Sequence, residues 1–170
     1  ELLLGISDIT APIALPLLIQ VAEETADTDL AQTELSWSYL ANNEWVEFRQ
    51  QDIISDSTNG GIASGIVTLA IPAAITKANT RLNPDLYWIK ASVAERHRAI
   101  PNIIGSHTQA AAVTFQDRNQ ESNLRNDPSH LATPLSASSI SKLQVPQPQL
   151  KTISQPYPSF GGRIAESDSN

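Results

Sequence analysis

Hydrophobic residues recur at every second position in several parts of the chain, which is the period of a β-strand with one buried face. The clearest case is residues 15–22, where leucine, isoleucine or valine occupies every odd position from 15 to 21. The same period is present in residues 65–71 and 86–94. Proline at position 72 cannot donate a hydrogen bond to a neighbouring strand, so it ends the second of these segments. The pattern predicts three strands, each buried more deeply on one side than on the other.

A β-hairpin is predicted between residues 35–39 and 46–48. Apolar and aromatic side chains alternate with serines in the first segment and with charged residues in the second. Asn42 and Asn43 lie between them, and asparagine tolerates the left-handed backbone angles of a tight turn. The spacing predicts a short antiparallel pair.

Other segments have weaker patterns. Ile100, Ile103 and Ile104 have a helical spacing, and Gly105 is suited to end a helix. We therefore predict a short helix over residues 95–106, one helical turn over 73–78, a polar loop over 52–61, and further strands over 110–116 and 140–145.

These elements predict a mainly β protein: an antiparallel β-sandwich-like domain with one short helix and an extended, proline-rich C-terminal arm. The predicted sandwich spans residues 1–116, and a long polar loop follows over 117–139. Four prolines keep residues 140–170 extended, as an arm that leads to a further domain. Position 1 is not methionine, which predicts that the sequence is an interior piece of a longer chain.

The charge of the chain excludes some partners. Its formal net charge is -7, and such an acidic surface repels phosphate groups, so nucleic acid and anionic lipid are not expected as ligands. The longest apolar stretch, residues 13–22, is about half the length of a membrane-spanning helix, so this segment is not expected to insert into a membrane. Cysteine is absent, which excludes disulfides and thiolate metal sites.

No cluster of reactive residues is apparent, and we predict no catalytic residue, metal site or cofactor. His97, His107 and His130 are too far apart in sequence for a typical zinc motif. Ser106 and His107 are adjacent and point apart on a strand, so they do not form a hydrolase pair. The glycines of residues 60–65 have the spacing of a phosphate loop but lack its lysine, which predicts a turn before a strand. The acidic residues of 23–29 are interpreted as a solvated loop.

The aromatic residues offer the first candidate surface. Trp37 and Tyr39 alternate with serines, which places them in the core. Trp45 is out of phase with Val46 and Phe48, so we predict that it faces outwards and serves as a protein–protein interface residue. An alternative function follows from Trp45 together with Trp88, because exposed aromatic rings on a β-scaffold bind sugars: a carbohydrate-binding module that recognises a target surface.

Several stretches, taken together and in order, resemble a known family. They include Leu35-Ser-Trp-Ser-Tyr-Leu-Ala-Asn-Asn-Glu-Trp, Leu86-Tyr-Trp-Ile-Lys-Ala-Ser-Val-Ala and Gln155-Pro-Tyr-Pro-Ser-Phe-Gly-Gly-Arg. The string resembles the large, baseplate-J-like wedge protein of extracellular contractile injection systems, the family of the anti-feeding prophage and Photorhabdus virulence cassette particles. The resemblance covers nearly all of the chain, although residues 59–64 depart from the family, which more often has a bulkier residue after Asn-Gly.

The resemblance implies a structural component that helps to assemble the baseplate and to trigger contraction, without catalytic residues. Its implied partners are other baseplate wedge subunits, hub or spike proteins, and sheath proteins. The implied particle assembles in the bacterial cytoplasm and is later released or anchored to a membrane.

Residues 155–163 are the predicted contact arm. Tyr157 and Phe160 are expected to dock into pockets of a partner, and Gly161 and Gly162 permit a sharp turn. Arg163 is expected to form a bidentate ion pair.

Overall fold

The computed structural model describes residues 1–114 and 132–162. The chain divides into two compact units, Glu1–Thr114 and Phe115–Asn170. The first unit contains every strand found in the described residues.

Two antiparallel four-stranded sheets make up the first unit, so the prediction of a mainly β, antiparallel fold is confirmed. The first sheet has the strand order β1-β7-β3-β4, and the second has the order β5-β6-β2-β8. The strands are β1 (Leu2–Ile6), β2 (Ile13–Ala22), β3 (Ser36–Ala41), β4 (Glu44–Glu47), β5 (Ile53–Asp56), β6 (Gly65–Ile71), β7 (Tyr87–Ser92) and β8 (Asn102–Thr108). Three 3₁₀ helices, Glu23–Thr25, Gln50–Asp52 and His97–Ala99, connect them.

The core lies between the two sheets and follows from the alternating pattern. The odd positions of β2 from Leu15 to Val21 are at most 5% exposed, and Val67, Leu69 and Ile71 of β6 are at most 1% exposed. They pack in one cluster with side chains of the first sheet, including Trp37 and Ile89. Burial of each such side chain contributes about 1.5–3 kcal/mol, so period two decides which face of each strand turns inwards.

The predicted hairpin is confirmed. Strands β3 and β4 pair from Ser38↔Glu47 to Ala41↔Glu44, with Asn42 and Asn43 in the turn at φ angles of 49° and 67°. Two positive φ angles are the requirement of a type I′ turn, which matches the twist of the strands. The Asn43 side chain also accepts hydrogen bonds from the backbone N–H and the hydroxyl of Thr80.

The predicted helix over residues 95–106 is wrong. Arg96 has a left-handed φ of 53° and only one 3₁₀ turn follows, with Ile100 as its C-cap. Ile103 and Ile104 lie at the start of β8. Gln20 pairs with Gly105 and Val21 with Ile103, so Ile104 is the extra residue of a β-bulge. Because of the bulge, Ile103 and Ile104 are adjacent apolar residues in one strand. With Ile100, they have the i, i+3, i+4 spacing of a helix.

Other predicted elements also differ. Residues 73–78 contain a hydrogen-bonded turn from Ile75 N–H to Pro72 O instead of a helical turn, and residues 110–114 and 140–145 form no strand. Residues 115 and 116 of the predicted strand lie outside the described residues. Strand β1 was not predicted, because three consecutive leucines hide its alternation, and β5 lies within the predicted polar loop, because it contains only two apolar residues.

Candidate interaction surfaces

Trp45 lies on the outer face of the first sheet, in the edge strand β4. Every residue of β4 is exposed, and Trp45 itself is 36% exposed. Its cross-strand partner Leu40 is buried beside it, although Leu40 does not belong to the central core. Trp45 therefore has one side against the sheet and the other towards solvent. Trp37 is buried in the core as predicted.

Lys90 of β7 is associated with Trp45. Its Nζ atom lies 5.0 Å from the centroid of the Trp45 ring and 3.4 Å from Oε1 of Glu1. Lys90 pairs with Ser38 in the intervening strand β3, and the small, buried serine leaves room for the lysine stem to cross towards Trp45. The cation attracts the electron-rich ring face and restricts the orientation of the indole.

Trp88 lies on the same outer face, but its groups are already engaged. The indole N–H donates a hydrogen bond of 3.0 Å to the carbonyl of Asn83. Its ring packs so closely on β1 that a Cβ atom on Gly5 would lie 2.9 Å from it. Sugar-binding platforms present free ring faces, whereas Trp45 is approached by Lys90 and Trp88 is packed on Gly5. This geometry gives the carbohydrate-binding alternative no specific support.

The described part of the second unit is held together by hydrogen bonds between two extended segments. Leu135 donates its backbone N–H to the Ser159 hydroxyl at 2.8 Å, and Ser159 donates its N–H to the Leu135 carbonyl at 2.9 Å. Gln155 joins the same segments, because its carbonyl accepts from Ser138 N–H and its side-chain oxygen accepts from Ile140 N–H. Thus part of the predicted arm pairs with an earlier segment of the chain.

The predicted contact residues of the arm have different environments. The Tyr157 side chain is partly buried, whereas Phe160 is 95% exposed. Gly161 has a φ of 76° and open space around it, which fits a turn, and Gly162 follows it in the exposed chain. Arg163 lies outside the described residues. The interface roles of these residues stay predictions.

A groove opens between β1 of the first sheet and β8 of the second. Its volume is about 340 Å³, and it is lined by residues 3–6, Leu17 and residues 106–108. None of these side chains is a carboxylate, an ammonium or a guanidinium group. This groove was not predicted from the sequence, because β1 was missed and most of β8 was assigned to a helix.

In the described ranges, the histidines and acidic residues lie in separate elements. His97 begins a 3₁₀ helix, His107 lies in β8 beside the groove, and His130 lies outside the described residues. Asp27 of the predicted acidic loop is 3.2 Å from Arg98 in an ion pair that ties two loops together. No group of three or more potential metal ligands is arranged around a common point in residues 1–114 and 132–162.

The glycine-rich segment is a turn that leads into β6, as predicted. Thr58 is buried and donates from its N–H and hydroxyl to Oδ1 of Asp56, while its hydroxyl accepts from Gly61 N–H. Gly60 and Gly61 have φ angles of 72° and 91°, which favour glycine. These hydrogen bonds hold Asp56, Thr58 and Gly61 together within the loop.

Arg49 and Asp52 form an ion pair in the connection between β4 and β5. Arg49 Nε lies 2.8 Å from Asp52 Oδ2 and Nη2 lies 2.9 Å from Oδ1, a bidentate arrangement. The hydrogen bonds from Arg49 lower the pKa of the Asp52 carboxyl below its ordinary value, although partial removal of water opposes this effect. The same contact raises the pKa of Arg49.

Comparison with known proteins supplies the wider context. The profile of a family described as "Baseplate protein PVC11-like" matches residues 1–170. No match was found among curated proteins. No helix in the described ranges has the length and apolar character needed to cross a bilayer.

Proposed function

Since the match over residues 1–170 shows that the chain belongs to the PVC11-like family of baseplate proteins, we propose that it is a structural wedge component of a phage-tail-like contractile injection system. The family match is the observation that carries the proposal. It confirms the resemblance at the level of a structural baseplate protein that associates with other subunits of a particle. The wedge position and a part in the contraction trigger are the proposed refinements.

The first unit supports this role as a rigid support. Its two sheets share one apolar core, and the Asp56–Thr58 network fixes the long loop before β6. A subunit that transmits force between neighbours needs elements that move as bodies, and packed β-sheets meet this requirement because their interiors deform little.

The second unit supports a contact role. Phe160 exposes nearly its whole aromatic ring, and a large exposed apolar side chain gains free energy when it enters a pocket of a partner. Gly161 allows the chain to turn directly after this ring. We propose that residues 155–163 contact neighbouring wedge, hub or sheath subunits, with Tyr157, Phe160 and Arg163 as the contacting side chains.

Deletion of residues 160–163 from the full-length protein tests this function, because it removes Arg163 and the exposed Phe160 but keeps Gln155 and Ser159, whose hydrogen bonds hold the described part of the second unit together. We expect the variant to accumulate as a folded protein but to be lost from purified particles, and we expect electron micrographs to show sheaths without complete baseplates. A matched control deletes residues 144–149, also in the second unit and exposed. If the first deletion variant gave normal numbers of contractile particles that contained as much of this subunit as wild-type particles, the proposed contact role would be excluded.

A further inference from the structure

The four edge strands of the two sheets differ in how well they are protected against pairing with another chain. Natural edge strands are protected by shortness, charge, proline or bulges. Strand β4 has four residues, two of which are Glu44 and Glu47, and β5 has a register shift and carries Asp56. Strand β8 contains the bulge at Ile104. Each of these three edges thus has at least one feature that discourages pairing.

Strand β1 is also short, with five residues, but it has none of the other three features. Its five residues are uncharged and contain no proline, and they pair with β7 in an unbroken register from Leu2↔Ala91 to Ile6↔Tyr87. In an antiparallel pair, alternate residues direct their N–H and C=O groups away from the neighbour. No other strand in the described residues lies beyond β1, so its outer edge presents hydrogen-bonding groups that an added strand would satisfy.

The surroundings of β1 are suited to an added strand. Trp88 packs over Gly5 and holds the strand against the sheet. On the other side lies the groove of about 340 Å³ towards β8, with aliphatic residues such as Leu4 and Ile6 on its β1 side and the polar residues 106–108 on its β8 side. An extended chain that pairs with β1 would direct every second side chain into this groove, because successive side chains of a strand point to opposite faces.

Charge identifies the kind of chain that would pair there. Glu1 precedes β1 and the exposed Asp8 follows it, so an uncharged apolar segment has a carboxylate near each end. Lys90 lies 3.4 Å from Glu1 and offsets part of its charge, so Asp8 provides the larger share of the attraction for a basic residue. Opposite charges on facing strands stabilise a pair, and like charges destabilise it. A second copy of β1 in antiparallel register would bring Glu1 of one copy towards the Asp8 end of the other, which disfavours self-pairing.

We propose that β1 is completed in the assembled baseplate by an extended segment of a different subunit, with about five uncharged residues between basic residues. The proposal rests on the assembly role above and names one contact of it. Main-chain hydrogen bonds to β1 supply the binding, and alternate side chains that enter the groove supply the selectivity.

A synthetic peptide tests the pairing directly on the purified protein. The probe is a fluorescein-labelled peptide of sequence Lys-Val-Thr-Val-Thr-Val-Lys, measured by fluorescence anisotropy, with a control in which both lysines are replaced by glutamates. We expect the lysine peptide to bind more tightly and to slow the backbone hydrogen exchange of residues 2–6. Equal binding of both peptides, or protection of β4 or β8 instead of β1, would overturn the proposal.

Two N-methylated peptides distinguish edge pairing from simple occupation of the groove. One peptide is methylated on the backbone nitrogens of its odd residues and the other on those of its even residues. In an antiparallel pair, only one of these two sets of N–H groups points towards β1. One peptide is expected to lose binding and the other to retain it. Equal behaviour of the two would show that main-chain pairing with β1 does not occur.

Protein variants provide a matched control. Leu3→Glu introduces an anion at the second residue of β1, where Leu3 is 42% exposed and faces Lys90 across the strand pair, and Ile54→Glu makes the same charge change in β5, where Ile54 is 56% exposed. We expect Leu3→Glu to tighten binding of the lysine peptide roughly fivefold and Ile54→Glu to have little effect. Equal effects of the two substitutions would contradict the assignment, as would the finding that the protein sediments as a dimer with β1 protected from exchange. Failure of these binding tests would leave the particle-assembly result of the preceding section intact.

Discussion

The ammonium group of Lys90 lies 5.0 Å from the ring centroid of Trp45, although the two residues are on strands separated by β3. This contact joins the centre of the first sheet to its edge strand. The 3.4 Å ion pair between Lys90 and Glu1 extends the link to the residue before β1. Lys90 therefore connects the two lateral ends of the sheet on its outer face.

Replacement of Lys90 by glutamine should destabilise the protein by about 0.5–1 kcal/mol, because a partly exposed cation–π contact has that magnitude and the ion pair adds little. The measurement is the free energy of unfolding in urea. Lys77→Gln serves as the comparison, because Lys77 lies 4.9 Å from the ring centroid of Tyr87, and tyrosine is a weaker partner than tryptophan. A loss for Lys90→Gln smaller than that for Lys77→Gln would contradict the contribution assigned to Trp45.

Alanine substitutions at Gly60 and Gly61, in the loop before β6, separate the cost of backbone strain from the cost of steric overlap. Both have positive φ angles, so alanine at either position incurs backbone strain of about 1–2 kcal/mol. A Cβ atom on Gly61 would also collide with Cδ1 of Leu35, whereas one on Gly60 would meet only the Gln32 side chain at 3.8 Å. We expect Gly61→Ala to cost about 1–3 kcal/mol more than Gly60→Ala, which is the usual range for overpacking. Thermal denaturation of the two variants measures the difference, and equal melting temperatures would show that the loop adjusts to the added methyl group.

The success of the sequence prediction depended on whether a strand alternates visibly. Strands β2 and β6 were predicted because their buried positions are large and aliphatic and other residues separate them. Strand β1 was missed because Leu3 is as apolar as Leu2 and Leu4 although it faces outwards. Strand β8 was misassigned because one bulged residue, Ile104, shifts the period.

The candidate surfaces show a similar limit. The outward direction of Trp45 followed from its phase relative to Val46 and Phe48. Its association with Lys90 depends on the order of strands in the sheet, which local sequence patterns do not specify. The groove beside β1 also depends on the order of the strands. It forms because β1 and β8, which are far apart in sequence, are edge strands of the two sheets and lie near each other.

The stability of the turn between β4 and β5 should depend on pH through Asp52. Its folded-state pKa is lowered by Arg49, so the contribution of the ion pair is present above the ordinary value of 3.8 and is lost as the pH falls through the folded-state value. In Arg49→Gln, the Asp52 carboxyl should titrate closer to its ordinary pKa, as measured by NMR. Arg98→Gln removes an arginine from a different ion pair and should leave the Asp52 titration unchanged. An unaltered Asp52 pKa in Arg49→Gln would show that the arginine does not cause the shift.

Phe160 should be required for assembly but not for folding. Its side chain is 95% exposed, so Phe160→Ser removes no packing from the isolated protein and should change the free energy of unfolding by less than about 0.5 kcal/mol. In particles, the loss of a buried aromatic contact should reduce incorporation of the subunit, which quantitative mass spectrometry of purified baseplates measures. Val145→Ser is a matched control in the same unit, because Val145 is 68% exposed and lies outside the proposed contact arm. If Phe160→Ser and Val145→Ser were incorporated equally well, the contact would have to be assigned to other residues of the arm.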